Sequence, residues 1–192
     1  MKTRAITTSS FCIVSLLTLG LGSAASAASG ASGTSADKAT IQRGALLVGI
    51  GGCADCHTPF RMGASGPEKD VARGLSGHPA KLHLSKPPKL DNDWNWAGSA
   101  TMTAFVGPWG ITYAANLTPD RETGIGGWTE RDFLNTMRTG KHLGVARPIM
   151  PPMPWQALGG LPTADLKAIY AYLMAQPPVS NRVPDYRPAD RD

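Results

Sequence analysis

The most specific chemical signal in the chain is a run of five residues. It reads Cys53-Ala54-Asp55-Cys56-His57, so two thiols are separated by two residues and an imidazole follows directly. On one helical turn, thiols at this spacing can each bond to a haem vinyl group while the next imidazole binds the iron. The spacing therefore predicts heme c, one per chain and covalently attached, with Cys53 and Cys56 bonded to haem and His57 on the iron.

Three other interpretations of the same residues are weaker. A structural disulfide between Cys53 and Cys56 leaves His57 without a role. A thioredoxin-like redox pair is expected within a βαβ pattern, and a zinc site needs two further ligands with their own spacing.

A second axial ligand would decide the redox properties of the iron, because a Met sulfur raises the reduction potential. Of the seven methionines, Met150 and Met153 share a proline-rich loop whose restricted backbone suits a soft ligand. Met102 remains a further candidate, whereas Met137 and Met174 lie on predicted apolar helix faces. The other possible ligands are the remaining histidines, which we expect at the surface: His78, His83 and His142.

The N-terminus predicts export. Lys2 and Arg4 precede an apolar run that is too short to span a membrane, and a small-residue cleavage pattern follows it. We expect a signal peptide over residues 1–27, which would also remove Cys12, a flexible leader over 28–38, and a periplasmic location without a transmembrane span in the mature chain. Removing Lys2 and Arg4 lowers the formal net charge of +5, and no basic run suited to nucleic acid remains.

Helical patterns flank a long irregular region. A helix is expected from near Asp37, with Gly44 marking the close approach of another helix, and a second from the capping residue Thr129 to Gly140. A third opens at Thr163 and carries the strongest amphipathic pattern. Residues 59–127 are rich in Gly and Pro and show no strand-like alternation, so the sequence predicts an all-α fold with a long wrapping loop.

Several further motifs carry a family resemblance that covers residues 40–184. Together with the haem motif, the chain resembles bacterial class I monohaem c-type cytochromes of the NLTPD type, which are often encoded with or fused to periplasmic alcohol, aldehyde or other dehydrogenases. The matching segments are Asn116-Leu117-Thr118-Pro119-Asp120, 123–126, 138–140, Pro151-Pro152-Met153-Pro154-Trp155, 165–170 and 177–179.

The resemblance implies a class I cytochrome c fold over residues 39–184, with an enlarged loop between the haem motif and the axial Met and a tail over 185–192. It also favours Met153 as the iron ligand, with Met150 as the alternative. The implied function is that of an electron carrier rather than an enzyme. It would take single electrons from a periplasmic dehydrogenase and pass them to an oxidase or another cytochrome of the respiratory chain.

Two alternatives remain for the function: a five-coordinate haem enzyme or gas sensor, and an obligate cytochrome subunit of a dehydrogenase complex. Within the enlarged loop, residues 81–89 hold Lys81, Lys86 and Lys89, followed by Trp94 and Trp96. This stretch is either a docking surface for an acidic partner or a solvated loop. For His57, we expect the Pro67 carbonyl to accept a hydrogen bond from the ring.

Overall fold

The computed structural model describes residues 37–91 and 93–189. The expected signal peptide, Cys12 and the leader up to residue 36 lie outside the described residues. Within the described part, the α-helices are α1 Lys38–Ile50, α2 Cys53–His57, α3 Glu130–Thr139, α4 Trp155–Gly159 and α5 Thr163–Met174. The β-strands are β1 Phe60–Gly63, β2 Gly66–Lys69, β3 Ala97–Gly98, β4 Ala104–Gly107, β5 Gly110–Tyr113 and β6 Arg187–Pro188, and 3-10 turns occupy Val71–Arg73 and His142–Gly144.

The prediction of an all-α fold is wrong. The region expected to be an irregular loop contains an antiparallel pair, β1 with β2, and most of a four-stranded antiparallel sheet in the order β3-β4-β5-β6. These strands have four residues or fewer, which is too short for an alternating pattern to stand out. In the β4–β5 hairpin, Gly107 and Gly110 flank Pro108 and Trp109, so the composition that suggested a loop belongs in part to turns.

Helices α1 and α5 pack closely where Gly44 permits it. A Cβ atom on Gly44 would meet the backbone carbonyl of Ala168 and would lie 2.7 Å from Cβ of Tyr172. The expected close approach at Gly44 is confirmed, and the partner is the C-terminal helix. An exposed ion pair between Arg43 and Asp165, at 2.9 Å, joins the same two helices.

Helix α3 begins and ends as the sequence predicts. The Thr129 hydroxyl accepts from the Asp132 backbone N–H, and the Asp132 carboxylate accepts from the Thr129 backbone N–H at 2.9 Å. This reciprocal cap satisfies two backbone donors that the helix leaves free. Gly140 ends the helix in the left-handed conformation.

The hydrophobic core lies between the helices and the segment after α2. Its buried members are Val48, Leu75, Ile125, Phe133, Met137, Leu166, Ile169 and Leu173. Cys53 and Ala54 pack against this cluster, so the start of the haem motif borders the core. Across the described residues, no helix combines the length and the apolar character needed to cross a membrane.

Candidate haem site

The predicted haem-binding motif forms a separate short helix. Gly52 precedes α2 in the left-handed conformation (φ 62°), which lets the chain turn sharply after α1. Cys53 and Cys56 are both half-buried free thiols. Asp55 points outward and pairs with Lys69 of β2 at 2.6 Å, which ties the motif to the first hairpin.

The settings of Cys53 and Cys56 do not favour any of the three alternative interpretations. No disulfide joins Cys53 and Cys56. Among residues 37–91 and 93–189, no group of three or more Cys, His, Asp or Glu side chains is placed to hold a metal ion. Burial raises the pKa of both thiols, and the nearby Asp55 charge adds to that effect at Cys56. Both thiols are therefore protonated near neutral pH, unlike an activated redox cysteine.

His57 is buried and has a fixed orientation. The residue is 7% exposed, and Nδ1 lies 2.7 Å from the backbone oxygen of Ala115. A carbonyl only accepts, so Nδ1 carries the proton and donates it. Burial lowers the pKa of His57, partly opposed by this hydrogen bond, so the ring is neutral. The lone pair of the neutral ring is then on Nε2, the atom available to a metal.

The acceptor for His57 is not the one expected from the sequence. Pro67 lies in β2, where it is paired with Met62, and the carbonyl that accepts from His57 belongs to Ala115 instead. The residues just after β5 therefore lie beside the haem-binding motif, and two backbone hydrogen bonds link both to residues 77 and 78. His78 N–H donates to the Ala114 carbonyl at 2.9 Å, and Gly77 N–H donates to the His57 carbonyl at 2.7 Å.

The Asn116-Leu117-Thr118 part of the NLTPD segment holds the chain immediately after Ala115. Asn116 is buried, donates to the Val179 carbonyl at 2.8 Å and accepts from the Thr118 backbone N–H at 3.0 Å. The Thr118 hydroxyl accepts from the Val179 N–H at 3.1 Å. The motif therefore fastens the C-terminal segment to the chain beside the His57 acceptor, which is a structural reason for its residue types.

Both candidate methionines of the proline loop are half-buried. Met150 and Met153 lie between the second 3-10 turn and α4, and the preceding Ile149 packs against the core. The Thr112 hydroxyl in β5 donates to the Pro151 carbonyl at 2.8 Å, so the second sheet contacts the loop between the two methionines. Trp155, which follows the loop, packs its ring on Gly140 at the end of α3.

The other candidate ligands lie in settings less suited to the role. Met102 is exposed, Met137 is a member of the core, and Met174 packs against it. The expectation that His78 lies at the surface is wrong. His78 is fully buried, with Nδ1 2.9 Å from the Thr103 hydroxyl and Nε2 3.4 Å from the Leu82 carbonyl, so both ring nitrogens face protein partners.

The residues present fit a haem. The donor set offers two thiols and a neutral imidazole with a free Nε2. Within the described residues, three buried polar atoms have no hydrogen-bond partner, namely Arg73 Nε, Ser76 Oγ and Trp109 Nε1. Arg73 and Ser76 lie in the segment that contacts His57 through Gly77. Buried N–H groups without partners are rare in folded proteins, and carboxylates such as the haem propionates are natural acceptors for them.

The stretch for which a docking surface and a solvated loop are the two interpretations is exposed. Lys81, Lys86 and Lys89 all face solvent, and Trp94 is 68% exposed. Trp96 is 42% exposed and rests edge-on against Phe105 of β4, with ring centroids 5.7 Å apart. Of the two tryptophans, Trp96 therefore packs against the second sheet, and Trp94 is mostly exposed.

Comparison with known proteins finds similarity to dehydrogenase subunits and to a cytochrome. The chain is 32% identical to a subunit of the nicotinate dehydrogenase of Pseudomonas putida over 146 residues, which are 76% of this chain and 9% of that protein. It is 29% identical to the cytochrome c subunit of the quinone alcohol dehydrogenase of Gluconobacter oxydans over 172 residues, 88% of this chain and 29% of the relative. A diheme cytochrome c-type of Cereibacter sphaeroides is 29% identical over 136 residues, 71% of this chain and 36% of the relative.

No protein-family model matches the chain. The chain spans between 9% and 36% of the length of these three relatives. Within that span, the presence of cytochromes among the relatives agrees with the haem-binding interpretation of the Cys-Ala-Asp-Cys-His segment and its buried histidine. The similarity to cytochrome c subunits supports a c-type cytochrome that binds heme c.

Proposed function

We propose that the chain is a periplasmic electron-transfer cytochrome c rather than an enzyme. In this proposal, one haem is bonded to Cys53 and Cys56, and His57 and Met153 bind its iron. The donor is a dehydrogenase, and the acceptor is an oxidase or another cytochrome. The signal peptide over 1–27 and the cytochrome domain over 39–184, of the class I monohaem type with the NLTPD motif, belong to the same proposal.

The observation that carries the proposal is the hydrogen bond between His57 Nδ1 and the Ala115 carbonyl, at 2.7 Å. It fixes the tautomer and the ring orientation, as the outer partners of metal-bound histidines usually do. When bound, the haem would supply an iron that alternates between Fe(II) and Fe(III). The chain would supply two covalent attachments, a fixed imidazole and a candidate Met ligand. That ligand would come from residues 150–153, here called the Met loop, whose prolines restrict the backbone.

The ligand assignment is tested by comparing Met153→Ala with Met150→Ala in the holoprotein. We expect Met153→Ala to lose the weak near-infrared band of Met-bound ferric haem and to have a lower reduction potential, because a thioether ligand favours Fe(II). Met150→Ala serves as the matched control from the same loop and should keep the band. Loss of the band in Met150→Ala alone would transfer the ligand role to Met150.

The wild-type spectrum also tests the five-coordinate alternative. A six-coordinate site resists CO unless the Met dissociates, so the reduced protein should bind CO slowly. Absence of the near-infrared band together with rapid CO binding would contradict an electron carrier and indicate a haem enzyme or a gas sensor.

A second candidate function is an obligate subunit of a dehydrogenase complex. Two observations favour it: the relative from Gluconobacter oxydans is itself a dehydrogenase subunit, and Trp94 and Trp96 leave a large apolar area exposed. Exposed aromatic side chains often serve as interface anchors. Sedimentation of the native protein discriminates the two: a monomer mass supports a free carrier, and a much larger mass with a co-purifying dehydrogenase supports the subunit.

A further inference from the structure

The two parts of the chain that carry the candidate iron ligands are joined to the same short segment. Thr112, in β5, donates its hydroxyl to the Pro151 carbonyl of the Met loop at 2.8 Å. Three residues later, the Ala115 carbonyl accepts from His57 Nδ1 at 2.7 Å. We call residues 112–115 the bridging segment.

The bridging segment is itself firmly held. In the second sheet, Thr112 and Tyr113 of strand β5 pair with Phe105 and Ala104 of β4, whereas β6 pairs only with the two residues before them. Beyond the strand, Ala114 N–H donates to the Thr103 carbonyl at 2.8 Å, and the Ala114 carbonyl accepts from His78 N–H at 2.9 Å. A segment with this many backbone hydrogen bonds can define a position for a less constrained neighbour.

The Met loop has few ways to be held. Pro151 and Pro152 have no N–H group, so this part of the loop can be attached mainly through its carbonyl oxygens. The Trp155 N–H, two residues further on, donates to the Met153 carbonyl at 2.9 Å. Apart from this local contact, and among the residues that the structure describes, the Thr112 hydroxyl makes the one hydrogen bond joining residues 150–153 to another part of the chain. The hydroxyl is buried and also lies 3.3 Å from the Phe105 carbonyl, but the Pro151 carbonyl is its closer acceptor.

From this geometry we infer that Thr112 is a positioning residue for the axial Met: its hydroxyl holds the Met loop at the bridging segment, which also orients His57. The inference rests on the proposed His/Met ligation and adds a residue that acts through the loop backbone and does not touch the iron. A mobile loop would let the Met leave the iron more often. The hydroxyl thus favours the six-coordinate state, and with it a high reduction potential.

The test compares holoprotein variants at position 112. Thr112→Val keeps the side-chain shape and removes the donor, Thr112→Ser keeps the donor, and Thr112→Ala removes the donor with a smaller side chain in case Val is poorly accommodated. The matched control is Thr136→Val, because Thr136 is also buried and donates to a backbone carbonyl, but within its own helix α3 at 2.7 Å.

The readouts are the near-infrared Met band, the reduction potential and the affinity of the ferric protein for added imidazole. Losing one hydrogen bond should favour the open loop, and hence imidazole binding, by about three- to tenfold. We expect Thr112→Val and Thr112→Ala to show this gain, a weaker Met band and a lower potential, while Thr112→Ser and Thr136→Val behave like the wild type.

Each outcome is decisive for one of the two claims. A wild type that shows the Met band, with Thr112→Val and Thr112→Ala indistinguishable from it in all three readouts, would overturn the role of Thr112 and leave the proposed function intact. An equal effect of Thr136→Val would also overturn it, since any buried threonine would then serve. A wild type without the Met band would overturn the His/Met ligation itself.

Discussion

The helical part and the sheet part of this protein differ in how they reach the candidate site. Helices α1, α3 and α5 form the core through apolar side chains and one close approach at Gly44. The second sheet and the residues that directly follow β5 instead contact the site through hydrogen bonds, from the Thr112 hydroxyl to the Met loop and from His57 to the Ala115 carbonyl. From this difference we expect packing among the helices to contribute most to stability, and the sheet side to orient the candidate ligands His57 and Met153.

The largest effect should come from a substitution that separates α1 from α5. In Gly44→Ala the new methyl group would meet the backbone of Ala168, which cannot move without shifting the helix. We expect a loss of about 3 kcal/mol in the free energy of unfolding, measured by denaturant titration of the holoprotein. The reduction potential should change little in the fraction that folds.

Gly49→Ala is the control for this prediction. Gly49 lies in the same helix, is exposed, and a Cβ there would meet nothing within 4 Å. It should stabilise the protein by about 0.5–1 kcal/mol through helix propensity alone. Equal effects of the two substitutions would contradict the packing of α1 on α5.

On the sheet side we expect a smaller loss of stability than for Gly44→Ala, but a larger change in the reduction potential. Asn116→Ala removes the bonds to Val179 and Thr118 and loosens the chain beside Ala115. We expect a loss of about 2 kcal/mol, because buried polar groups lose their partners. A weaker hydrogen bond to His57 makes the imidazole less basic, so the reduction potential should rise.

Asn135→Ala, at an exposed position of α3, is the control and should alter neither property noticeably. The proposed division between a stabilising helical part and an orienting sheet part would be contradicted if Asn116→Ala lowered stability while the reduction potential stayed at the wild-type value. It would also fail if Gly44→Ala shifted the potential as much as Asn116→Ala does.

The helices could be predicted because their signals are local. The cap at Thr129, the stop at Gly140 and the tight contact at Gly44 each follow from a residue type at one position, and all three are confirmed. The haem motif is equally local. Its residue assignments, like that of Met153, remain predictions.

The sheet and its contacts were missed for physical reasons. Every residue has a backbone carbonyl, so nothing in the side chain of Ala115 distinguishes it from Pro67 as the His57 acceptor. Strands of two to four residues, five of the six with a Gly, leave no alternation of polar and apolar residues that could be recognised in the sequence. The signal in the sequence that could have pointed to this contact is the NLTPD segment, which begins directly after Ala115 and whose polar residues Asn116 and Thr118 are buried.

The central claim, a haem bonded through Cys53 and Cys56, is tested most directly by mass spectrometry of the exported protein after denaturation. We predict that the denatured wild type keeps the mass of one haem, and that the double variant Cys53→Ser/Cys56→Ser loses it on denaturation. A wild-type chain with the mass of the polypeptide alone, obtained from cells that attach haem to other cytochromes, would contradict the account.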